Sequence, residues 1–91
     1  MQMLTKQNEK DLGNKVIKFF TPWSNWAWYV TEGEKEANGD WLFFGLVEGF
    51  EKEWGSFRLS ELTEAQGPMG LKIERDRWFD TPVKDFTTDN I

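Results

Sequence analysis

Short apolar segments with alternating or β-branched residues dominate the first half of this chain and predict a small β-sheet. Lys15–Phe20 is rich in β-branched and aromatic residues, and Pro22 ends pairing because proline has no backbone donor. Trp26–Glu32 follows a turn-forming stretch, and its alternation places Trp26 and Trp28 on one face of a strand. We therefore predict the first two strands in these segments.

Two further strands are predicted after polar links. Trp41–Glu48 is apolar at seven of eight positions when Gly45 is counted, which indicates a central strand covered on both faces. Gly45 itself marks a bulge or a close approach by another group. Trp54–Ser60 alternates and forms the fourth strand. The links Gly33–Asp40 and Gly49–Glu53 are too short for a helical crossover, so the strands pair antiparallel as hairpins.

Helix signals flank this set of strands. Thr5 is a good N-cap for a helix over Lys6–Leu12, which Gly13 can close, and Ser60 is a good N-cap for Glu61–Gln66. The alternation in Leu71–Phe79 predicts a short edge strand, and Pro82 and the tail 87–91 are expected to be loosely held. The fold predicted for residues 1–91 is one α+β domain: a small antiparallel β-meander of four to five strands, with a short N-terminal helix and a short helix after the fourth strand.

Composition removes several kinds of chemistry. The chain has no cysteine and no histidine, which excludes thiolate and imidazole zinc sites, disulfides, cysteine nucleophiles and histidine general bases. We predict no catalytic residue, no metal site and no cofactor. The polar N-terminal segment does not resemble a secretory signal, and no apolar run reaches the length of a membrane span, so we expect a cytoplasmic protein without a membrane partner.

The net charge of −5 is concentrated in one part of the chain. Between positions 32 and 53, seven acids meet two lysines, whereas nine acids and nine bases balance elsewhere. Such a segment can be a solvated, solubilising hairpin, or it can bind a basic surface and compete there with nucleic acid. The acids assigned to this candidate binding surface are Glu32, Glu34, Glu36, Asp40, Glu48, Glu51 and Glu53.

Aromatic residues make up 16% of the chain and include six tryptophans. These rings can fill the core of a small sheet, form a patch that docks a protein, or stack nucleobases. The cationic track that single-stranded nucleic-acid binders need is absent near them, which argues against direct nucleic-acid binding. The tryptophans assigned to partner binding are Trp23, Trp26, Trp28, Trp41 and Trp54.

One charged cluster, Glu74-Arg75-Asp76-Arg77, has catalytic potential. On a strand, Glu74 and Asp76 share one face and can hold a hard cation, but no third ligand is identifiable from the sequence. The alternative is an edge strand whose charges discourage aggregation, with Arg75 pinned by a carboxylate. Ser24 has no base to activate it, so the turn that holds it has a structural role.

Several short segments of the sequence, taken together, resemble a family of small uncharacterised bacterial proteins. The family is a domain of unknown function carried mainly by plasmids, integrative elements and phages. The resemblance covers the chain from about Leu4 to Phe79, and Trp41 and Trp54 stand where the family pattern has more ordinary residues. It implies a genomic setting of mobile elements. The segments that carry it are Phe19–Pro22, Ser24–Tyr29, Phe43–Val47 with Gly49, Glu53–Leu62 and Gly67–Asp76.

The acidic segment, the aromatic residues and the mobile setting together favour a non-enzymatic interaction module. We expect it to inhibit a host nucleic-acid-targeting defence complex, as anti-CRISPR proteins do, by placing acids and tryptophans on a basic surface of that protein or nucleoprotein. One alternative is a metal-dependent or carboxylate-based small enzyme using Glu74 and Asp76. Another is a single-stranded nucleic-acid-binding accessory factor for plasmid transfer.

Overall fold

A five-stranded antiparallel sheet with two short helices forms the protein, as seen in a computed structural model that describes residues 4–86. The sheet order is β4-β3-β2-β1-β5. The predicted α+β meander, with a helix before the first strand and a helix after the fourth, is confirmed. The elements are α1 (Lys6–Asp11), β1 (Ile17–Phe20), β2 (Ala27–Lys35), β3 (Trp41–Glu48), β4 (Lys52–Arg58), α2 (Leu59–Glu64) and β5 (Glu74–Arg75).

The predicted strand limits need several corrections, and β4 runs over Lys52–Arg58 rather than over residues 54–60. β2 continues to Lys35, because residues that were expected in a loop pair with β3 as far as Lys35 opposite Trp41. The hairpin turn then closes with a 2.8 Å hydrogen bond from the Glu36 N–H to the Asp40 carbonyl. β1 begins at Ile17 rather than Lys15, and only two of the residues 71–79 form an edge strand. Pro82, which was expected to be loosely held, instead pairs with Lys15 in an antiparallel bridge. The predicted loose tail, 87–91, lies outside the described residues.

Gly45 allows the two long central strands to approach each other. A Cβ atom at this position would collide with the carbonyl oxygen of Tyr29 on β2. The β2–β3 register shifts beside it, between Val30 and Glu32, and the Thr31 hydroxyl there donates to the Phe44 carbonyl. The predicted close approach is confirmed, and the bulge lies in the neighbouring strand.

The two helices are capped differently. Thr5 caps α1 as predicted, through a reciprocal pair of hydrogen bonds with Asn8. The predicted N-cap Ser60 and the predicted bounds of α2 are wrong, because that helix begins at Leu59 and its N-cap, Arg58, makes no side-chain capping bond. Ser60 lies inside the first turn, where its N–H and hydroxyl both donate to Asp40. A carboxylate from the β2–β3 turn therefore satisfies the helix start.

One face of the sheet is closed by both helices, and we call it the helix face. Ile17, Phe19, Val30, Phe43 and Phe57 point to it and are buried. Leu4, Leu62 and Ile73 cover them from the flanking segments. The partly buried side chains that pack against this cluster are Leu12, Trp23, Trp28, Trp41, Val47, Leu59 and Ala65. This face holds the larger core and fixes the positions of all the strands.

The opposite face is only partly covered, by residues 79–86, which we call the strap; this side is the strap face. Phe79, Val83 and Phe86 of the strap pack on a smaller cluster that contains Tyr29 and Leu46. Backbone hydrogen bonds from Val16 to Thr81 and from Val83 to Asn14 hold the strap in place. The strap crosses the middle of the face and leaves the sheet accessible on both sides of it.

Both α-helices have six residues, far fewer than the roughly 20 that a bilayer-spanning helix needs. Among residues 4–86, no helix is long and apolar enough to cross a membrane.

Candidate functional site

A stacked aromatic pair is exposed on the strap face. Phe44 of β3 and Trp54 of β4 have ring centroids 6.0 Å apart and planes 21° apart, and they are 41% and 47% exposed. The pair is fixed by the sheet, because both strands are held in register and Trp54 also contacts Phe86 of the strap edge to face. Rings of this size usually lose most of their accessible surface on folding, so their exposure favours a contact surface.

Two exposed glutamates lie beside this pair on the same face. Glu32 is directly opposite Phe44, and Glu34 is opposite Leu42, in the β2–β3 register. Within residues 4–86, neither carboxylate has a hydrogen bond or a salt bridge. The nearest base in their row, Arg58, binds Glu36 through two hydrogen bonds of 2.8 and 3.3 Å. Glu32, Glu34, Phe44 and Trp54 therefore form a surface with uncompensated negative charge, the acidic patch.

The structure separates the other predicted acids from this patch. Glu36 is paired with Arg58, and Asp40 accepts hydrogen bonds from Ser60 and Trp41. The Ser60 hydroxyl, at 2.6 Å, is the main reason that the pKa of Asp40 lies below its ordinary value. Glu48 lies at the far end of β3, Glu51 lies in the β3–β4 turn, and Glu53 points to the helix face at the sheet edge.

The remaining predicted tryptophans do not form a single platform. Trp41 pairs with Lys35 at one end of the β2–β3 hairpin and stacks on the buried Phe43. Trp26 and Trp28 lie 6.1 Å apart at the other end. Trp26 and Trp23 cover Gly49 and Gly67, where a side chain would collide with their rings. All four are half-buried and structural in their contacts, which leaves Trp54 as the tryptophan of the predicted set that is exposed.

Three exposed aromatics were not assigned from the sequence. Phe44 was counted with the central strand, although its position next to Phe43 puts it on the opposite face. Phe50 is 95% exposed in the β3–β4 turn, edge-on to Trp26, and Trp78 is 94% exposed after β5. A large aromatic between polar turn residues was the signal for Phe50.

A cavity of about 730 Å³ lies on the strap face, on the other side of the strap from the acidic patch. We call it the trough. Phe20 and Ala27 form its floor, and Glu74 and Glu48 stand at the two ends of the same row across four strands. Tyr29 lies at its inner side, where burial, and then the charges of Glu48 and Asp76, raise the pKa of the phenol to about 12.

The charged cluster Glu74-Arg75-Asp76-Arg77 follows the buried Ile73, and two of its side chains are engaged within the fold. Asp76 lies 3.8 Å from the Lys18 ammonium, and Arg75 turns away to donate to the Asn8 side chain of α1. Arg75 is therefore pinned by an amide rather than by a carboxylate. In the described part of the chain, no group of three or more acidic, histidine or cysteine side chains is placed to hold a metal ion.

The side chains of the acidic patch and of the trough can bind positively charged groups. Free carboxylates and aromatic rings both attract ammonium and guanidinium groups. The Ser24 hydroxyl, which lines the trough, is hydrogen-bonded to the Thr21 hydroxyl.

Comparison with known proteins adds a family and no activity. No curated protein and no solved structure matches the chain. The family described as "Protein of unknown function (DUF2958)" matches residues 1–86, which is nearly the whole chain. The predicted resemblance to a domain of unknown function is thereby confirmed, and the chain belongs to the DUF2958 family.

Proposed function

We propose that the protein is a non-enzymatic binding module whose acidic patch docks on a basic surface of a partner protein. The observation that carries the proposal is the stacked pair Phe44–Trp54, exposed beside two unpaired glutamates on a rigid sheet. Aromatic anchors surrounded by charge are typical of the residues that dominate interface energies. The partner is a protein that binds nucleic acid, because such surfaces carry dense positive charge.

Charge complementarity supports this choice of partner. The net charge of the chain is −5, and the patch holds two carboxylates that no described side chain neutralises. When the patch displaces nucleic acid from the basic groove of the partner, Glu32 and Glu34 replace the phosphate charges that the groove has lost. An arginine of the partner can stack on Trp54 while it pairs with one of these carboxylates. Binding of this kind is fast and weakens with salt.

A further part of the proposal concerns the biological role. We propose that the partner is a host defence complex that targets nucleic acid, and that the protein inhibits it by occupying the nucleic-acid groove. The support is the resemblance to families carried by mobile elements, together with the acidic patch. Cells that carry such a defence system are expected to lose protection against phage or plasmid entry when they express the protein, and unchanged protection contradicts this role.

The docking itself is tested by charge reversal with a matched control. Tagged protein is expressed in cells with a nucleic-acid-targeting defence complex, and recovery of the complex is measured for wild type, E32K/E34K and E51K/E53K. The two variants change net charge equally, but Glu51 and Glu53 lie off the patch. We expect E32K/E34K to lower recovery about tenfold or more, and E51K/E53K to stay within about twofold of wild type.

A third variant separates the ring from the charges. W54A removes the exposed anchor and keeps every carboxylate, so it is expected to weaken binding about tenfold with no change in its salt dependence. Equal losses in E32K/E34K and E51K/E53K would mean that only net charge matters, which contradicts the patch. Failure of the wild-type protein to recover any basic protein also contradicts the proposal.

A further inference from the structure

We infer that the trough is a second binding subsite, which takes one arginine side chain of a protein partner. The inference rests on the proposed function only in taking that partner to be basic. The subsite consists of the floor residues Phe20 and Ala27, the carboxylates of Glu48 and Glu74, and the ring of Trp78.

The volume and the length of the trough match a single long side chain. Its volume of about 730 Å³ lies within the range of pockets that hold small ligands. Glu74, Phe20, Ala27 and Glu48 stand in one row across β5, β1, β2 and β3. Neighbouring strands are about 4.8 Å apart, so the two glutamate Cα atoms are about 14 Å apart, with the aromatic floor between them.

The charges inside the trough favour a cation. Lys18 is already paired with Asp76 and lies 5.4 Å from the centre of the Tyr29 ring. The guanidinium of Arg75 is bound to Asn8 on the helix-face side. Arg77 is exposed at the rim. Arg77 and Lys52, which lies opposite Glu48 on the same face, balance part of this charge. Among the described residues, the carboxylates of Glu48 and Glu74 have no hydrogen bond or salt bridge, so each is available to a cationic ligand at its end of the floor.

Arginine fits this lining better than lysine. A guanidinium is planar, it stacks on aromatic faces, and it donates two parallel hydrogen bonds to a carboxylate. The floor ring of Phe20 and the exposed ring of Trp78 provide such faces, and either glutamate can accept the fork. Ala27 keeps the floor low between the two carboxylates, which leaves room for the aliphatic stem.

The position of the trough extends the acidic patch into a longer surface. Both lie on the strap face, with the strap between them. Phe44 and Glu48 are four residues apart on β3, which corresponds to about 14 Å along the strand. The partner therefore presents two basic groups at about this separation.

Peptide titration tests the subsite without the partner. The probe is the capped tripeptide Ac-Gly-Arg-Gly-amide, followed by amide and indole chemical shifts, with the lysine and the neutral citrulline peptides as comparisons. We expect shifts to concentrate at Phe20, Glu48, Glu74 and the Trp78 indole. We expect the citrulline peptide to bind about tenfold more weakly, and the lysine peptide about threefold more weakly, than the arginine peptide.

Charge-neutral variants complete the test. E48Q/E74Q is expected to bind the arginine peptide about tenfold more weakly than wild type, while E53Q/E64Q, with the same change in charge outside the trough, stays within about twofold. Unperturbed shifts at residues 4–12 serve as the check that both variants are folded. Equal binding of arginine and citrulline peptides, equal effects of the two double variants, or shifts outside the trough would overturn the inference.

The two proposals fail separately. Loss of partner recovery in E32K/E34K with no arginine-peptide binding supports docking through the acidic patch and removes the subsite. Peptide binding in the trough with no basic protein recovered supports the subsite and removes the proposed docking.

Discussion

The helix face and the strap face belong to one sheet and share the same strands, yet only the helix face is closed. On the helix face, Phe19 and Phe43 are fully buried under the two helices and the segments that flank them. On the strap face, eight residues of strap cover Tyr29 and Leu46, and the ring of Phe44 stays 41% exposed. The difference indicates that stability resides mainly in the closed face, which leaves the other side available for binding.

Substitution of two neighbouring phenylalanines is expected to give the largest difference in stability between the two faces. Phe43 and Phe44 are adjacent in β3 and point to opposite faces. F43A is expected to lower the free energy of unfolding by about 3–5 kcal/mol, because it leaves a cavity in the closed core. F44A is expected to lower it by about 1 kcal/mol, because that ring is already half in water. Urea denaturation measures both.

A milder pair keeps this prediction testable if F43A does not fold. F43L and F44L preserve much of the side-chain volume, and the same order of stability is expected with smaller differences. Similar losses at the two positions would show that the strap face contributes as much to stability as the helix face, and the comparison would fail.

Alanine substitution of two glycines that pair across β3 and β4 is expected to give the next largest difference in stability. Gly45 and Gly55 are direct partners in the register. A Cβ at Gly45 would collide with the Tyr29 backbone, whereas nothing lies within 4 Å of a Cβ at Gly55. G45A is expected to destabilise the fold by about 2–3 kcal/mol, and G55A by less than about 0.5 kcal/mol. Equal midpoints in denaturant would contradict the close β2–β3 approach on which both faces depend.

The smallest expected effect is the pH dependence of stability that comes from the Tyr29 phenol beneath the strap. Tyr29 is the one tyrosine of the chain, so its phenolate absorbance can be followed directly. Burial, then Glu48 and Asp76, raise its pKa from 10.0 to about 12. Because the folded value is the higher one, this contribution to stability is complete below pH 10 and is lost as pH rises towards 12.

Alkaline titration of the native protein measures this directly. The absorbance step is expected near pH 12, and E48Q is expected to move it slightly downwards because one of the two nearby charges is removed. A midpoint near 10 in the native protein would show that the strap does not shield the strap face at Tyr29.

Alternation and turn residues were sufficient to predict the antiparallel order of the first four strands, but not that β5 pairs with β1. The β-branched and aromatic runs, the Thr5 cap and the short links each act locally, so the sequence contains their signal. Ser60 was misassigned because its N–H is satisfied by Asp40, twenty residues earlier. The sequence around Ser60 gives no indication of this long-range contact.

The candidate site was predicted less well, for a physical reason. Charge concentration alone did not separate Glu32 and Glu34, which have no partner among the described residues, from Glu36 and Asp40, whose carboxylates are used within the fold. Which ring is exposed depends on what covers each face, and the strap that leaves Trp54 accessible comes from the other end of the chain. The trough combines residues from four strands and two connecting segments, so it follows only from the tertiary structure.

Site-specific photocrosslinking tests the binding role of the strap face most directly. A benzophenone amino acid is placed either at Phe44, in the acidic patch, or at Thr63, an exposed position of α2 on the other side of the sheet. Both proteins are irradiated in cells that carry the defence complex. We expect a crosslink from position 44 to a basic, nucleic-acid-binding protein and none from position 63. A crosslink from position 63 alone, or equal crosslinks from both positions, would contradict it.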